Sequence, residues 1–270
     1  MEQSDPIYLV ADEQPRLARE LRDLPADVWS MPSRCEGWSN AQVLAHLVAG
    51  AELYRDSVSR ALIGDAGPPI ESDGRLMAVE EFPRLLPRRQ EALARQPPLE
   101  LLDWFAILGE QLADLYLRLY PADLNKRAWH PRGIFTIATF VTSRLYEIGF
   151  HGWDIHASVD PEADVRPELC AFLLRMVRAR QVRNCRPDPN LEGRCRFEVD
   201  GRAWTIRVGG GALDVDSSAP TARATIQTDG STYLLLATAR RALADRRDRV
   251  AIEGDRRWAE RLLDATSFRV

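Results

Sequence analysis

The sequence has a single lysine, no closely spaced pair of cysteines and no long apolar run. Lys126 is the one lysine among 36 basic residues, a skew towards arginine that is common in proteins from GC-rich genomes and carries no functional information. The four cysteines, Cys35, Cys170, Cys185 and Cys195, show no CxxC spacing, which argues against a zinc knuckle or a dithiol motif. Unpaired thiols favour a cytoplasmic protein with reduced cysteines.

Acidic and basic side chains nearly balance, giving a net charge of −4. This balance supplies no overall positive field to attract nucleic acid or an anionic membrane. No stretch approaches the roughly 20 apolar residues of a membrane span, and the N-terminus lacks the basic end and apolar core of a signal peptide. We therefore expect neither nucleic acid nor membrane as a partner.

The length of 270 residues, with 45% apolar and 28% charged residues, is typical of a globular chain with two domains. Apolar residues recur at helical spacing up to about residue 160, and from Gly193 the spacing changes to the alternation of strands. We predict an α+β multidomain fold, with a helical bundle over residues 1–160 and a small α+β domain over residues 161–270.

The same patterns predict the individual elements. In the bundle, we expect helices over 7–24, after the N-cap Ser39, over 80–95, over 99–119 and through Arg144–His156, with loops at 64–74 and 128–133. In the second domain, we expect a helix over 161–184, a hairpin around Asp200-Gly201, strands over 213–215, 224–228 and 249–253, and helices over 231–244 and 255–265.

A polar seam on the long helix carries the chemistry. Glu147 and His151 are four residues apart, so they lie one above the other, about 6 Å apart along the helix axis. Arg144 and Asp154 extend the same face. A buried glutamate is costly unless it is paired or bound to a cation, and bundles build metal sites from inward side chains on facing helices. Glu147 and His151 are therefore candidate metal ligands that need a third.

His46, on the helix after Ser39, is the candidate third ligand. If this helix packs against the helix that carries Glu147 and His151, the three side chains converge. Two imidazoles and one carboxylate would leave a coordination position open, as in catalytic zinc sites, and the same set also fits a non-haem iron triad. The alternative is a core histidine bonded to a carbonyl group.

Two neighbours of these residues have candidate supporting roles. Asp154 is expected to orient a ligand or a nearby arginine, unless it is a surface carboxylate. Arg144 is expected to hold a substrate carboxylate or neutralise a developing anion, unless it supports Glu147 through a salt bridge.

The remaining reactive side chains are predicted to have no role at the site. His156 is interpreted as a surface or helix-end residue, and His130 lies in a predicted loop with no partner. Cys35 is interpreted as structural, because no histidine neighbours it in the sequence to activate a nucleophilic thiol.

Two stretches carry a family resemblance: Pro32-Ser-Arg-Cys-Glu-Gly-Trp-Ser39 with Val43-Leu-Ala-His46, and Arg144-Leu-Tyr-Glu147-Ile-Gly-Phe-His151-Gly-Trp-Asp154. The chain resembles the mycothiol-dependent maleylpyruvate isomerase family, which belongs to the DinB-like superfamily of metal-binding four-helix bundles. The resemblance covers about residues 5–160. The remainder resembles, more loosely, the family's C-terminal domain, which is related in shape to sterol carrier protein type 2.

This resemblance implies that His46, Glu147 and His151 bind a divalent metal, usually zinc, with mycothiol as cosubstrate or cofactor. A thiol that coordinates zinc is deprotonated, so that it adds to an electrophilic double bond and leaves again, or displaces a leaving group. In the family, the C-terminal domain contributes an arginine, for which Arg240 and Arg241 are the candidates and Arg241 is our choice. The alternative is that both are solvated charges.

The resemblance also implies an actinobacterial, metal-dependent transferase or isomerase acting on a small electrophilic metabolite, as a monomer or homodimer. Two rival hypotheses remain. One is a thiol-independent metal-dependent hydrolase or cyclising enzyme of the same fold, and the other is a ligand-binding module without turnover.

Overall fold

The structure, a computed structural model, describes residues 5–69, 77–216 and 221–268. The chain divides into two units, Met1–Ala163 and Asp164–Val270, three residues after the predicted division. Part of the loop predicted at 64–74 lies outside the described residues.

A four-helix bundle forms the N-terminal unit. Its described elements are α1 (Pro6–Arg22), α2 (Asn40–Leu62), α3 (Phe82–Leu93), α4 (Pro98–Leu117), β1 (Arg127–His130), β2 (Gly133–Thr136) and α5 (Ile137–His156). Helices α1, α2, α4 and α5 pack against one another, and α3 packs on the outside of α2. None of the helices in the described residues is long and apolar enough to cross a membrane.

Side-chain caps fix where the two site-bearing helices begin. Ser39 accepts a hydrogen bond from the Gln42 backbone, and the Gln42 side chain accepts one from the Ser39 backbone, which completes a capping box at the start of α2. Thr136 accepts a hydrogen bond from the backbone of Thr139 at the start of α5. The predicted N-cap Ser39 is therefore confirmed.

The segment 128–133 is a β-hairpin, and its prediction as a loop was wrong. Strands β1 and β2 pair antiparallel, with His130 opposite Gly133 around the two-residue turn Pro131-Arg132. Proline and glycine are typical of loops, but here they mark only the turn, where Gly133 adopts a φ of 134° that other residues rarely adopt.

A buried guanidinium connects all four helices of the bundle. Arg144 on α5 is 1% exposed, and it donates hydrogen bonds to the Gln14 side chain on α1 and to the Leu47 carbonyl on α2. It also lies 5.6 Å from the ring centre of Phe105 on α4. Burial lowers the pKa of Arg144 to about 10, so it remains charged at neutral pH. Because an unpaired buried charge is strongly destabilising, these partners are essential to the packing.

A glycine on α4 makes room for this arrangement. A Cβ atom at Gly109 would lie 2.3 Å from Cγ of Gln14, closer than packed atoms approach. The absence of a side chain at Gly109 therefore lets the Gln14 amide reach Arg144 between the helices.

The C-terminal unit is a five-stranded sheet with helices. Its described elements are α6 (Pro167–Asn184), β3 (Gly193–Val199), β4 (Arg202–Gly209), β5 (Ala212–Asp216), β6 (Ala224–Thr228), α7 (Gly230–Ala237), β7 (Ala251–Gly254) and α8 (Arg256–Thr266). The strand order is β5-β4-β3-β6-β7, with β3 and β6 parallel and the other neighbours antiparallel. The predicted α+β architecture is confirmed.

The predicted hairpin is present, and two helices are shorter in the structure than predicted. Asp200 and Gly201 both have positive φ, as a two-residue turn between β3 and β4 requires. Helix α6 begins only at Pro167, which suits the first position of a helix. Helix α7 ends at Ala237, because Ala239 turns into the left-handed region with a φ of 53°.

We predict that Gln14→Ala destabilises the protein by about 3 kcal/mol, because it leaves a buried guanidinium without its side-chain acceptor. Urea unfolding measures this change. Gln111→Ala is the matched control, since Gln111 accepts a hydrogen bond from Arg55 at the surface, and there we expect a change within about 0.5 kcal/mol. Equal effects of the two substitutions would contradict this interpretation of the buried contact.

Candidate metal centre

Two helices bring two histidines and a glutamate together in the N-terminal unit. His46 Nε2, on α2, lies 2.9 Å from Glu147 Oε2 on α5, and His151 Nε2 lies 3.2 Å from the same oxygen. The imidazole rings of His46 and His151 have their centres 4.9 Å apart and meet nearly edge to face. The three predicted ligands therefore converge across the α2–α5 interface.

Electrostatics hold this cluster in a charged state. Burial would raise the pKa of Glu147, but hydrogen bonds from His151 and His46 outweigh it and keep the pKa well below its usual value. For His151, burial would lower the pKa, but its contacts with Asp154, Cys35 and Glu147 raise it well above 6.5. An ionised carboxylate thus lies between two imidazoles.

The donor set fits a divalent cation. One ligand atom from each of His46, Glu147 and His151 lies within 4.8 Å of the others. Ligand atoms of a tetrahedral zinc site, with bonds near 2.1 Å, are about 3.4 Å apart, so the observed separations from Glu147 need only a small adjustment. The His46 and Glu147 side chains are 28% and 25% exposed, which leaves the cluster accessible from solvent.

Asp154 lies behind His151, where a partner of a metal ligand is expected. Asp154 is fully buried, and its Oδ2 lies 2.9 Å from Nδ1 of His151. The alternative of a surface carboxylate is therefore excluded. A carboxylate on Nδ1 orients an imidazole so that Nε2 faces the cation.

Cys35 also contacts His151, so the reason for excluding it was wrong. Its Sγ atom lies 3.4 Å from His151 Nδ1, and its thiol donates a hydrogen bond to Asp154 Oδ2 at 3.1 Å. Burial has the largest effect on the pKa of Cys35 and raises it. The nearby Asp154 raises this pKa further, and the contact with His151 opposes both effects. The pKa of Cys35 is raised overall, and this direction is opposite to the lowered pKa that activates a cysteine as a nucleophile.

The loop before α2 reaches both histidines. Trp38, three residues after Cys35, packs on His46 with ring centres 5.4 Å apart. The backbone N–H of Arg34 donates to the carbonyl of Asp154, and the Arg34 side chain donates to the carbonyl of Ala157 at the end of α5. This segment, residues 31–39, is called the cap loop below.

The contacts of Arg144 are those of a core residue, and they do not support its predicted catalytic role. It lies one turn before Glu147 on α5, but its guanidinium is buried and its three nitrogen atoms donate to Gln14 and Leu47. A side chain held in this way is not available to a substrate carboxylate. Residue spacing placed Arg144 on the correct helix face but did not reveal its partners on two other helices.

His130 and His156 both have partners. His130 Nδ1 accepts a hydrogen bond from the backbone of Arg132, and its ring lies 6.2 Å from that of Tyr54 and 6.1 Å from that of Phe140. His130 is thus part of a hairpin packed on the bundle, contrary to the prediction. His156 ends α5, as predicted, and lies near Glu20.

The two candidate arginines of the C-terminal unit follow α7. Both Arg240 and Arg241 donate backbone hydrogen bonds to the carbonyl of Leu235 in the turn after the helix, so their predicted location on the helix was wrong. The catalytic role of Arg241 stays a prediction.

Inward-facing histidines and carboxylates on facing helices are the arrangement from which helical bundles build metal sites. Residues 10–156, more than half of the chain, match the family described as mycothiol maleylpyruvate isomerase N-terminal domain. The chain belongs to that family, as the sequence predicted.

Solved structures support the same fold over both units. The crystal structure of a mycothiol-dependent maleylpyruvate isomerase matches with a TM-score of 0.64 at 11% identity, covering 94% of this chain and 93% of that one. A variant of that enzyme with one histidine replaced by alanine matches equally well at 10% identity. UbiJ-SCP2, a ubiquinone synthesis protein, covers 36% of this chain with a TM-score of 0.25, too low to add to this conclusion. No curated protein matches the sequence.

We predict that His130 stays neutral down to about pH 4. Burial, with a further contribution from Arg132, lowers the pKa of His130 from 6.5 to about 4. Between these values the unfolded chain binds the proton and the folded protein does not, so this group stabilises the fold less as the pH falls from 6.5 to 4. Histidine ring NMR reports the titration, and the difference in stability between pH 7 and pH 5 should be smaller in His130→Gln. A midpoint near 6.5 would contradict the prediction.

Proposed function

We propose that this protein is a metal-dependent enzyme that activates a low-molecular-weight thiol, mycothiol, for reaction with a small electrophilic metabolite. The single observation that carries the proposal is the convergence of His46, Glu147 and His151. Membership of the mycothiol maleylpyruvate isomerase family supports the choice of thiol and of isomerase chemistry.

Each residue of the cluster has a distinct task in this proposal. His46, Glu147 and His151 hold the cation, which we expect to be zinc. Asp154 orients His151 through Nδ1, and Trp38 packs against His46. Because His46 and Glu147 are partly exposed, a thiol and a second small molecule reach the cluster from that side.

A bound divalent cation lowers the pKa of a coordinating thiol, so that the thiol reacts as a thiolate at neutral pH. In an isomerisation, the thiolate sulfur adds to one carbon of an electrophilic double bond. Rotation about the resulting single bond and expulsion of the same thiolate return the double bond with the opposite geometry. In a transfer reaction, the sulfur instead displaces a leaving group and stays on the substrate. Both reactions need the same activated thiol.

We predict that His46→Ala, Glu147→Ala and His151→Ala each weaken zinc binding by more than about 100-fold, beyond the usual effect of an outer-shell change. Metal content after dialysis and competition with a chromophoric chelator measure this loss. His156→Ala is the matched control, since it removes a histidine from the same helix as His151, and we expect it to retain one zinc per chain. Stoichiometric zinc in both the His46→Ala and the His151→Ala protein would reject the proposed ligands.

We predict that the zinc-loaded protein binds mycothiol at least tenfold more tightly than its S-methyl thioether, because the thioether has no proton to lose. Calorimetry in parallel titrations measures both affinities, and zinc-free protein should show no such difference. Equal affinities for the zinc-loaded protein would favour the thiol-independent hydrolase or cyclising enzyme. Zinc and thiol binding without turnover of any electrophile would favour the ligand-binding module.

A further inference from the structure

A second polar group lies on the side of His151 that faces away from Glu147. His151 presents Nε2 to Glu147 and Nδ1 to Asp154, so its two nitrogen atoms have different environments. The Cys35 sulfur lies on the Nδ1 side of the ring, 3.4 Å from His151 Nδ1 and 3.1 Å from Asp154 Oδ2. Cys35 is therefore one hydrogen bond removed from a candidate metal ligand.

The direction of these hydrogen bonds follows from the chemistry of the groups. An ionised carboxylate only accepts, so the thiol of Cys35 and the Nδ1–H of His151 both donate to Asp154 Oδ2. With a proton held on Nδ1, the proton that His151 gives up when it binds a cation is the one on Nε2, which leaves the lone pair on the atom that faces Glu147. Two donors on one oxygen thus fix the tautomer that binding a cation through Nε2 requires.

Backbone contacts of the cap loop fix the position of the Cys35 sulfur. The Cys35 backbone N–H donates to Ser33 Oγ, and the Cys35 carbonyl accepts from the backbone of Trp38. Gly37, with a φ of 80°, lets the chain turn back between them. Arg34 ties the loop to the end of α5 through the carbonyl of Asp154. These backbone hydrogen bonds therefore fix the position of the Cys35 thiol beside Asp154.

The fully buried Asp154 gives this contact its importance. A buried carboxylate is stable only when its oxygen atoms receive hydrogen bonds, and Cys35 supplies one from outside the helix that carries Asp154 and His151. Loss of that donor would let the carboxylate rotate towards another donor and release the imidazole from its fixed orientation.

We propose that Cys35 is a positioning residue for the metal ligand His151, acting through Asp154. This inference rests on the proposed function, because it presumes that His46, Glu147 and His151 bind a cation. The sulfur itself is outside the ligand set, and it takes no part in the reaction.

Zinc affinity of the full-length protein tests the proposal, with a chromophoric chelator as competitor. We expect Cys35→Ala to weaken zinc binding about tenfold, at the lower end of the effects of outer-shell partners. Cys35→Ser retains a donor and should stay within about threefold of the wild type. Cys185→Ala is the matched control, since Cys185 is also a buried thiol that donates to a carbonyl, and it should leave the affinity unchanged.

Two further measurements separate positioning from packing. In the Asp154→Asn background, Cys35→Ala should add little to the loss, because both act through the same contact. The visible absorption spectrum of the cobalt-loaded protein should change in Cys35→Ala and be restored in Cys35→Ser, and it should change more than in Cys185→Ala at an equal loss of urea midpoint. A merely structural role would move the midpoint and not the spectrum.

Three outcomes would overturn the proposal, and they are distinguishable. Unchanged zinc affinity in Cys35→Ala, with weaker binding in Asp154→Asn, would show that the thiol only packs. Two zinc ions per chain in the wild type and one in Cys35→Ala would make Cys35 a ligand with Asp154 and His151, a set whose atoms also lie close together. Full retention of zinc in His46→Ala and His151→Ala would reject the proposed function and this inference together.

Discussion

The arrangement of the candidate metal centre depends on the buried guanidinium of Arg144. Its hydrogen bond to the Leu47 carbonyl joins α5 to α2 one residue from His46, and its own position is one turn from Glu147. If either helix slid along the other, the guanidinium would lose this acceptor inside the core, where an unpaired charge is strongly destabilising. The contact between Arg144 and the Leu47 carbonyl therefore helps to specify the register of the two ligand-bearing helices.

The cap loop acts on the same two helices from their ends. The N-terminal part of α2 lies beside the C-terminal part of α5, and the loop that starts one helix also covers the end of the other through Arg34. Trp38 packs on one candidate ligand, His46, and Cys35 contacts the residues behind the other. Of the three candidate ligands, His46 and Glu147 are 28% and 25% exposed and His151 is 10% exposed, so the open side of the cluster is that of His46 and Glu147.

Residue spacing along a helix predicted the side chains that are neighbours on that helix, but it predicted few of the contacts between different elements. The i, i+4 rule was enough to pair Glu147 with His151, and the cost of a buried carboxylate pointed to His46. Cys35 was rejected because nearness in sequence says nothing about nearness across a bundle, although antiparallel packing of α2 and α5 implies that its loop reaches the end of α5. The extent of α7 was missed because a left-handed Ala239 has no distinct sequence signal.

The tight fit of Gln14 against Gly109 has a consequence for how such a bundle diverges. A methyl group at position 109 would displace the Gln14 amide, whose oxygen accepts hydrogen bonds from the buried Arg144. The residues at positions 14, 109 and 144 therefore depend on one another. Related chains that keep the fold at 11% identity have replaced most of their residues. Along such a lineage these three positions are expected to change in concert, exchanged together for an apolar combination or inherited together, and substitution at one alone would be selected against.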